Sequence, residues 1–222
     1  MTKSFTIILF LFSFSSFSVK AQEDTIENIG AYKIGNFAQG GIIFWVDDSG
    51  QHGLVCAKKD QALRVQWDQE LEFKGDVMSL PERNTKSVAT VDAIYAGKKN
   101  TQDIIKFVGD TNLIYAAIIC EKLILEEDTN VFDDWYLPAR EELILMFKNR
   151  IIINKVALEK NGDSFDKKSY WSSTDVDCTV KPYLYIDNVH TVWSHNFNRG
   201  EKSFQIPARK YMPLAVRAIR AF

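Results

Sequence analysis

Apolar and polar positions along this 222-residue chain change period several times, and each change marks an expected element. Gly40-Gly41 opens a continuous apolar run, Ile42-Ile43-Phe44-Trp45-Val46. The turn formers Asp47-Asp48-Ser49-Gly50 follow, and then a second run, Gly53-Leu54-Val55-Cys56-Ala57. Two such runs around turn chemistry predict a β-hairpin. Residues 22–39 before it are polar and weakly patterned and read as a leader, with at most one edge strand at Ala31 to Ile34. From Lys58 to Lys99 the periodicity fades, and Trp67 with the polar segment Leu80 to Ser87 predicts a long surface excursion pinned by an aromatic.

Helical spacing appears next. Asn100 can cap a helix over Thr101 to Val108, with Asp103 at its third position and Gly109 as a left-handed stop. Thr111 or Asn112 can cap a second helix, Leu113 to Leu125, whose stripe is Leu113, Ala116, Ala117, Cys120, Leu123 and Ile124. The stretch from Phe132 to Phe147 then organises the middle of the chain. Leu137, preceding a proline, is pushed out of the helical region, and Pro138 suits a first helical position. Glu141 and Glu142 fall in the first turn, where carboxylates complement the helix dipole, and Leu143, Met146 and Phe147 form an apolar stripe. Lys155 to Lys168 reads as a charged loop. Beyond it, Tyr170 to Ser173, Tyr183 to Ile186, Val192 to Phe197 and Leu214 to Phe222 read as strands, with Asn198-Arg199-Gly200 as a tight turn.

The first residues are a separate matter. Lys3 supplies a positive start, Phe5 to Phe17 is an uncharged apolar run, and Val19-Lys20-Ala21 ends in a small residue, the pattern of a cleaved signal peptide. The expected organisation is a signal peptide over residues 1–21, cut between Ala21 and Gln22, a leader over 22–39, and one domain over 40–222. The apolar run is too short to span a bilayer, and no cysteine stands near the cut to carry a lipid, so no transmembrane anchor is expected. The formal net charge of −2 becomes −4 once Lys3 and Lys20 are removed, which leaves no basic surface for nucleic acid. Three cysteines, Cys56, Cys120 and Cys178, cannot all pair within the chain. Cys120 lies on a helical apolar stripe and reads as a buried thiol.

Several islands recur in a fixed order: Gly40 to Val46 with Gly50-Gln51-His52-Gly53; Asp133-Asp134-Trp135-Tyr136-Leu137-Pro138 with Glu141-Glu142-Leu143; Tyr170-Trp171-Ser172-Ser173; Asn196 to Gly200; and Val216 to Arg220. In this set the chain resembles the Lcl C-terminal domain family, exported bacterial domains that also close a collagen-like adhesin. The resemblance covers roughly Gly40 to Phe222. It implies an α+β, C-type-lectin-like fold shared with the formylglycine-generating enzymes: a mixed, mostly antiparallel sheet, two main helices and long irregular loops. It also implies display outside the cytoplasm and, for the adhesin, binding of sulfated polysaccharide. Asp134, Trp135, Leu137, Pro138, Glu142, Trp171, Ser172 and Ser173 carry its architectural motif.

Fold alone does not transfer an activity, so each inheritance is weighed on residues. Calcium-dependent sugar binding in C-type lectins uses Glu-Pro-Asn or Gln-Pro-Asp with Trp-Asn-Asp, and neither occurs here; Trp171 is followed by two serines. Asp175 and Asp177 read as a solvated turn rather than a cation site. The formylglycine chemistry needs two thiols near the C-terminus, where only Cys178 stands. His52 belongs to a turn, and His190 and His195 are five apart, which points them to opposite faces of one strand. Glu141 and Glu142 are neighbours on a helix and do not face one another. No metal, cofactor or catalytic group is therefore expected. The remaining chemistry is surface recognition: Trp193, His195, Asn198, Arg199 and Lys202 cluster around one strand and turn, an aromatic face beside amide and cationic donors. The expectation is an exported, non-enzymatic binding module for a glycan or a cell-surface protein. The alternatives are a structural subunit of an envelope assembly and an oxidase of the formylglycine type.

Overall fold

The computed structural model describes residues 31–68, 72–74, 77–79, 88–165, 168–176, 191–198 and 204–222. The chain first lays down β1 (Phe37–Ala38), β2 (Gly41–Val46), β3 (Gly53–Cys56), β4 (Ala62–Val65), β5 (Glu72–Lys74) and β6 (Val77–Ser79). Helices α1 (Ala96–Val108) and α2 (Ala116–Glu121) follow, then the hairpin β7 (Leu125–Glu127) and β8 (Asn130–Phe132), then α3 (Arg140–Lys148) and α4 (Arg150–Glu159). Five strands end the chain: β9 (Ser169–Asp175), β10 (Thr191–Asn196), β11 (Gln205–Arg209), β12 (Leu214–Val216) and β13 (Ile219–Ala221). Among the described residues the molecule is thus mixed α+β, with four helices and several sheets whose pairs are antiparallel except β9 with β12.

Two sheets carry the structure, one ordered β1-β2-β3-β13 and one ordered β11-β10-β9-β12-β4. The predicted hairpin is β2–β3, with a bulge between Ile43 and Trp45. Its unbroken apolar run follows from burial on both faces. Ile43 and Val55 join a core with Trp67, Ile104, Ala117, Cys120, Trp135 and Trp171, while Ile42, Phe44, Leu54 and Cys56 join another with Tyr136, Leu143, Met146, Phe147, Ile153 and Tyr170. The edge strand expected at Ala31 to Ile34 lies instead at β1, because Gln39 (φ 58) and Gly40 (φ 79) make a two-residue turn with both residues left-handed. Residues 31–38 pack on this sheet, with the Tyr32 and Gly35 N–H groups donating to the Gly50 and Ile43 carbonyls at 2.9 and 2.8 Å.

The terminal segment, expected as one strand, is two. β12 belongs to the five-stranded sheet and β13 to the four-stranded one, and the chain crosses between them at Arg217-Ala218. Gly53 and Phe222 exchange two backbone hydrogen bonds of 3.1 Å, so the C-terminus closes on the first hairpin.

Helix boundaries depart from expectation for local reasons. α1 begins at Ala96, and Asn100 is an interior helical residue whose amide donates to the Val91 carbonyl at 2.7 Å rather than capping. Gly109, at φ 75, stops the helix as expected. α2 is one and a half turns, and Ile124 at its expected end is 60% exposed because the chain has already left the helix for β7. α3 starts at Arg140, so Pro138 stands just before the cap rather than at the first helical position, and Leu143, Met146 and Phe147 are buried as the stripe requires. α4 occupies part of the segment read as a charged loop, burying Ile153, Val156 and Ala157. Asn149 joins α3 to α4 and donates its amide to the Phe44 carbonyl at 3.0 Å. The expected strand Tyr183 to Ile186 lies outside the described residues, as do His190 and Cys178. Among the described residues no helix is long and apolar enough to cross a membrane.

Candidate functional site

The motif residues direct their polar atoms into the fold, mostly toward backbone and side chains of other segments. Ser173 donates its N–H to the Pro138 carbonyl at 2.7 Å, and Thr101 Oγ1 receives the Leu137 N–H at 3.0 Å. Trp171 Nε1 donates to the Val65 carbonyl at 2.8 Å, Trp135 Nε1 to the Phe132 carbonyl at 2.9 Å, and Ser172 Oγ to the Trp193 carbonyl at 2.7 Å. Asp134 pairs with Arg220. Ala139 has no side-chain oxygen to cap α3, so only the Glu142 half of a capping box forms, accepting the Ala139 N–H at 2.7 Å. Glu142 also accepts the Tyr95 N–H at 2.8 Å and the Tyr136 hydroxyl at 3.2 Å. It is fully buried, and burial raises its carboxyl to about 7 against the pull of these donors. Gly97 packs against this carboxylate so closely that a Cβ there would collide with it and with the Leu137 carbonyl.

Other buried charges are paired. Asp60 receives Arg217 Nε at 2.7 Å, Lys168 Nζ at 2.7 Å and the Tyr170 hydroxyl at 3.1 Å. Asp175, expected in a solvated turn, is instead buried at the end of β9. It pairs with buried Lys210 at 3.1 Å and also accepts the Val88 and Ala89 N–H groups at 2.8 and 3.4 Å. Asp177 lies outside the described residues. Burial pushes the Cys56 thiol up to about 12 and raises Cys120 as well, so both are poor nucleophiles. Among the described residues, no three His, Cys, Asp or Glu side chains gather as metal ligands would.

The residues expected to bind ligand are distributed differently from their sequence cluster. Trp193 and His195 share the face of β10 that lies beneath α3. One face of the Trp193 ring is covered by the Arg140 guanidinium at 4.1 Å, which is held by Gln205 Oε1 at 2.6 Å and by Asp92 at 3.4 Å. His195 is 1% exposed, its ring 4.6 Å from Phe147 and 5.1 Å from Phe197. Burial and the nearby Arg150 charge lower its imidazole to about 4. Asn198 is exposed at the turn after β10. Arg199 and Lys202 lie outside the described residues.

Open concave surface lies elsewhere, between the Gln39-Gly40 turn, the chain after β3 and the β7–β8 hairpin. A pocket of 290 Å³ is lined by Phe37, Gly40, Ala57, Lys58, Lys59, Gln61, Leu125, Glu126 and Glu127. A pocket of 380 Å³ adjoins it, lined by Tyr32, Phe37, Ala38, Gln39, Glu127, Asn130 and Phe132. Phe37 and Glu127 line both, so the two pockets lie side by side about these residues, referred to below as the Phe37 cleft. The hairpin wall is fixed by the Gly40 N–H donating to Glu127 Oε2 at 3.2 Å. The other wall is anchored by Arg220, which donates to the Gln39 carbonyl at 3.0 Å and lies 4.8 Å over the Phe132 ring. Lys160 and Lys58 place ammonium groups 5.0 and 5.8 Å from the Phe37 ring. Tyr32, Phe37 and Phe132 line these pockets together with amide, carboxylate and ammonium groups that can hydrogen-bond a polar polymer.

Sequence reasoning missed this cleft because its lining comes from three separated segments, 32–40, 57–61 and 125–132. The local signal was the two aromatics Tyr32 and Phe37 in a weakly patterned leader. No protein-family model matches this chain, and no curated protein matches it either.

Proposed function

We propose that this chain is an exported, non-enzymatic binding module that takes a polysaccharide along the Phe37 cleft. The observation that carries the reading is the pair of adjoining pockets about Phe37 and Glu127, whose mixed aromatic and polar lining suits a hydroxyl-rich chain. The apolar run near the N-terminus supports export. The finer fold reading, C-type-lectin-like, is supported by the C-terminal strand closing on the first hairpin and by the landmark residues serving architecture. A binding role rather than catalysis is supported by Asp60, Asp175 and Glu142, the buried carboxylates described above, each of which is held by internal partners.

The test is a glycan array probed with the mature chain and with Phe37→Ala. Binding by the wild type that the variant loses supports the cleft. A wild type that binds nothing above background overturns the reading, and recovery of one dominant protein from envelope extracts would then favour a structural subunit.

A further inference from the structure

Tyr95, the residue just before α1, has φ 71 and ψ 1, a left-handed backbone that side chains larger than Asn rarely adopt. The fold needs this backbone, because the Tyr95 N–H is one of the donors that hold the buried Glu142. The Tyr95 side chain is 43% exposed, and its ring stands edge-on to half-buried Trp45 at 5.6 Å and 83°. Glycine or asparagine would give the same turn with less strain. A strained position that keeps a large, displayed aromatic points to use of the ring.

The surroundings identify the chemistry. Trp45 and Tyr95 meet edge to face to make an aromatic corner, and Asp47, two residues beyond Trp45, is a surface carboxylate whose hydrogen bond from the Ser49 hydroxyl at 2.6 Å keeps it ionised. Burial, and then the charges of Asp47 and Glu142, raise the Tyr95 phenol, so the ring stays neutral with its hydroxyl proton in place. In an edge-to-face pair one ring covers a face of the other, so the pair offers a sugar only its remaining faces, and the Asp47 carboxylate, whose charge reaches the Tyr95 phenol, repels sulfates and uronates and accepts from hydroxyls. We infer that Trp45, Tyr95 and Asp47 form a second contact point for the glycan, one that takes a neutral pyranose unit by ring stacking and hydroxyl donation to Asp47. The inference rests on the polysaccharide reading of the chain, and adds to the Phe37 cleft a preference for an uncharged sugar.

The experiment is calorimetric titration of the mature chain, Tyr95→Gly, Tyr95→Asn and Phe37→Ala with cellohexaose, laminarihexaose, chitohexaose and a heparin hexasaccharide, beside thermal melts. The expected result is wild-type binding of at least one neutral oligosaccharide, weakened about tenfold or more by either Tyr95 variant, while those variants melt within about 4 °C of the wild type. Three results overturn the corner alone: unchanged affinity in both Tyr95 variants, binding of the heparin fragment only, or a larger loss of melting temperature, which makes the ring a packing element. A wild type that binds none of the four probes removes the polysaccharide reading and this inference with it.

Discussion

Replacing Glu142 by glutamine tests how this core handles a buried carboxylate. The group titrates near 4.5 in an unfolded chain and is raised to about 7 in the folded one, with burial outweighing hydrogen bonds from Ala139, Tyr95, Tyr136 and Gly97. A raised acid binds more protons folded than unfolded between these values, so its contribution is full below pH 4.5 and is lost as pH rises toward 7. The span corresponds to about 3 kcal/mol, at about 1.36 kcal/mol per unit. The Glu142→Gln variant keeps an acceptor for the Ala139 N–H but turns an NH2 toward the Tyr95 N–H, which it cannot accept, so at acid pH it should be less stable than the wild type by about 1–3 kcal/mol, an offset that does not change with pH. Urea unfolding from pH 4.5 to 8 should then show the variant gaining on the wild type by roughly 3 kcal/mol, with equal m-values. A flat difference, or a wild type that gains on the variant as pH rises, would refute the reasoning and show that the four donors hold the carboxylate at or below its ordinary range.

Two further predictions rest on buried charge. His195 is lowered to about 4 from 6.5, so stability present above pH 6.5 is lost as pH falls; His195→Phe should remove up to about 3 kcal/mol of this acid sensitivity in melts between pH 7 and 4. Arg217→Met leaves Asp60 buried without its closest cation and should cost about 3–5 kcal/mol in urea unfolding, with Asp60→Leu in the same chain restoring part of the loss. No recovery in the double variant would mean that Lys168 and Tyr170 depend on Asp60 more than Arg217 does.

The same residues show what could be read from the chain and what could not. The apolar runs around Asp47 to Gly50 require a hairpin, and the helix after Pro138 follows from backbone sterics and an apolar stripe, because both signals are local. Helix ends were less legible: Asn100 has the chemistry of a cap, but a neighbouring carbonyl at Val91 offered its amide a buried partner. Asp175 shows the same limit, since its solvated reading fails once Lys210, far along the chain, folds against it.

Candidate recognition residues divide in the same way. Trp193 and His195 are close in sequence and share a face, yet that face is roofed by α3, whose Arg140 and Phe147 cover them. Sequence by itself determined the elements that arise from period, turn chemistry and proline, together with a formal net charge of −2. Only the tertiary structure decided which surface stayed open, because a cleft built from Phe37, Lys58, Glu127 and Phe132 depends on how distant segments are brought together, and no local pattern encodes that distance.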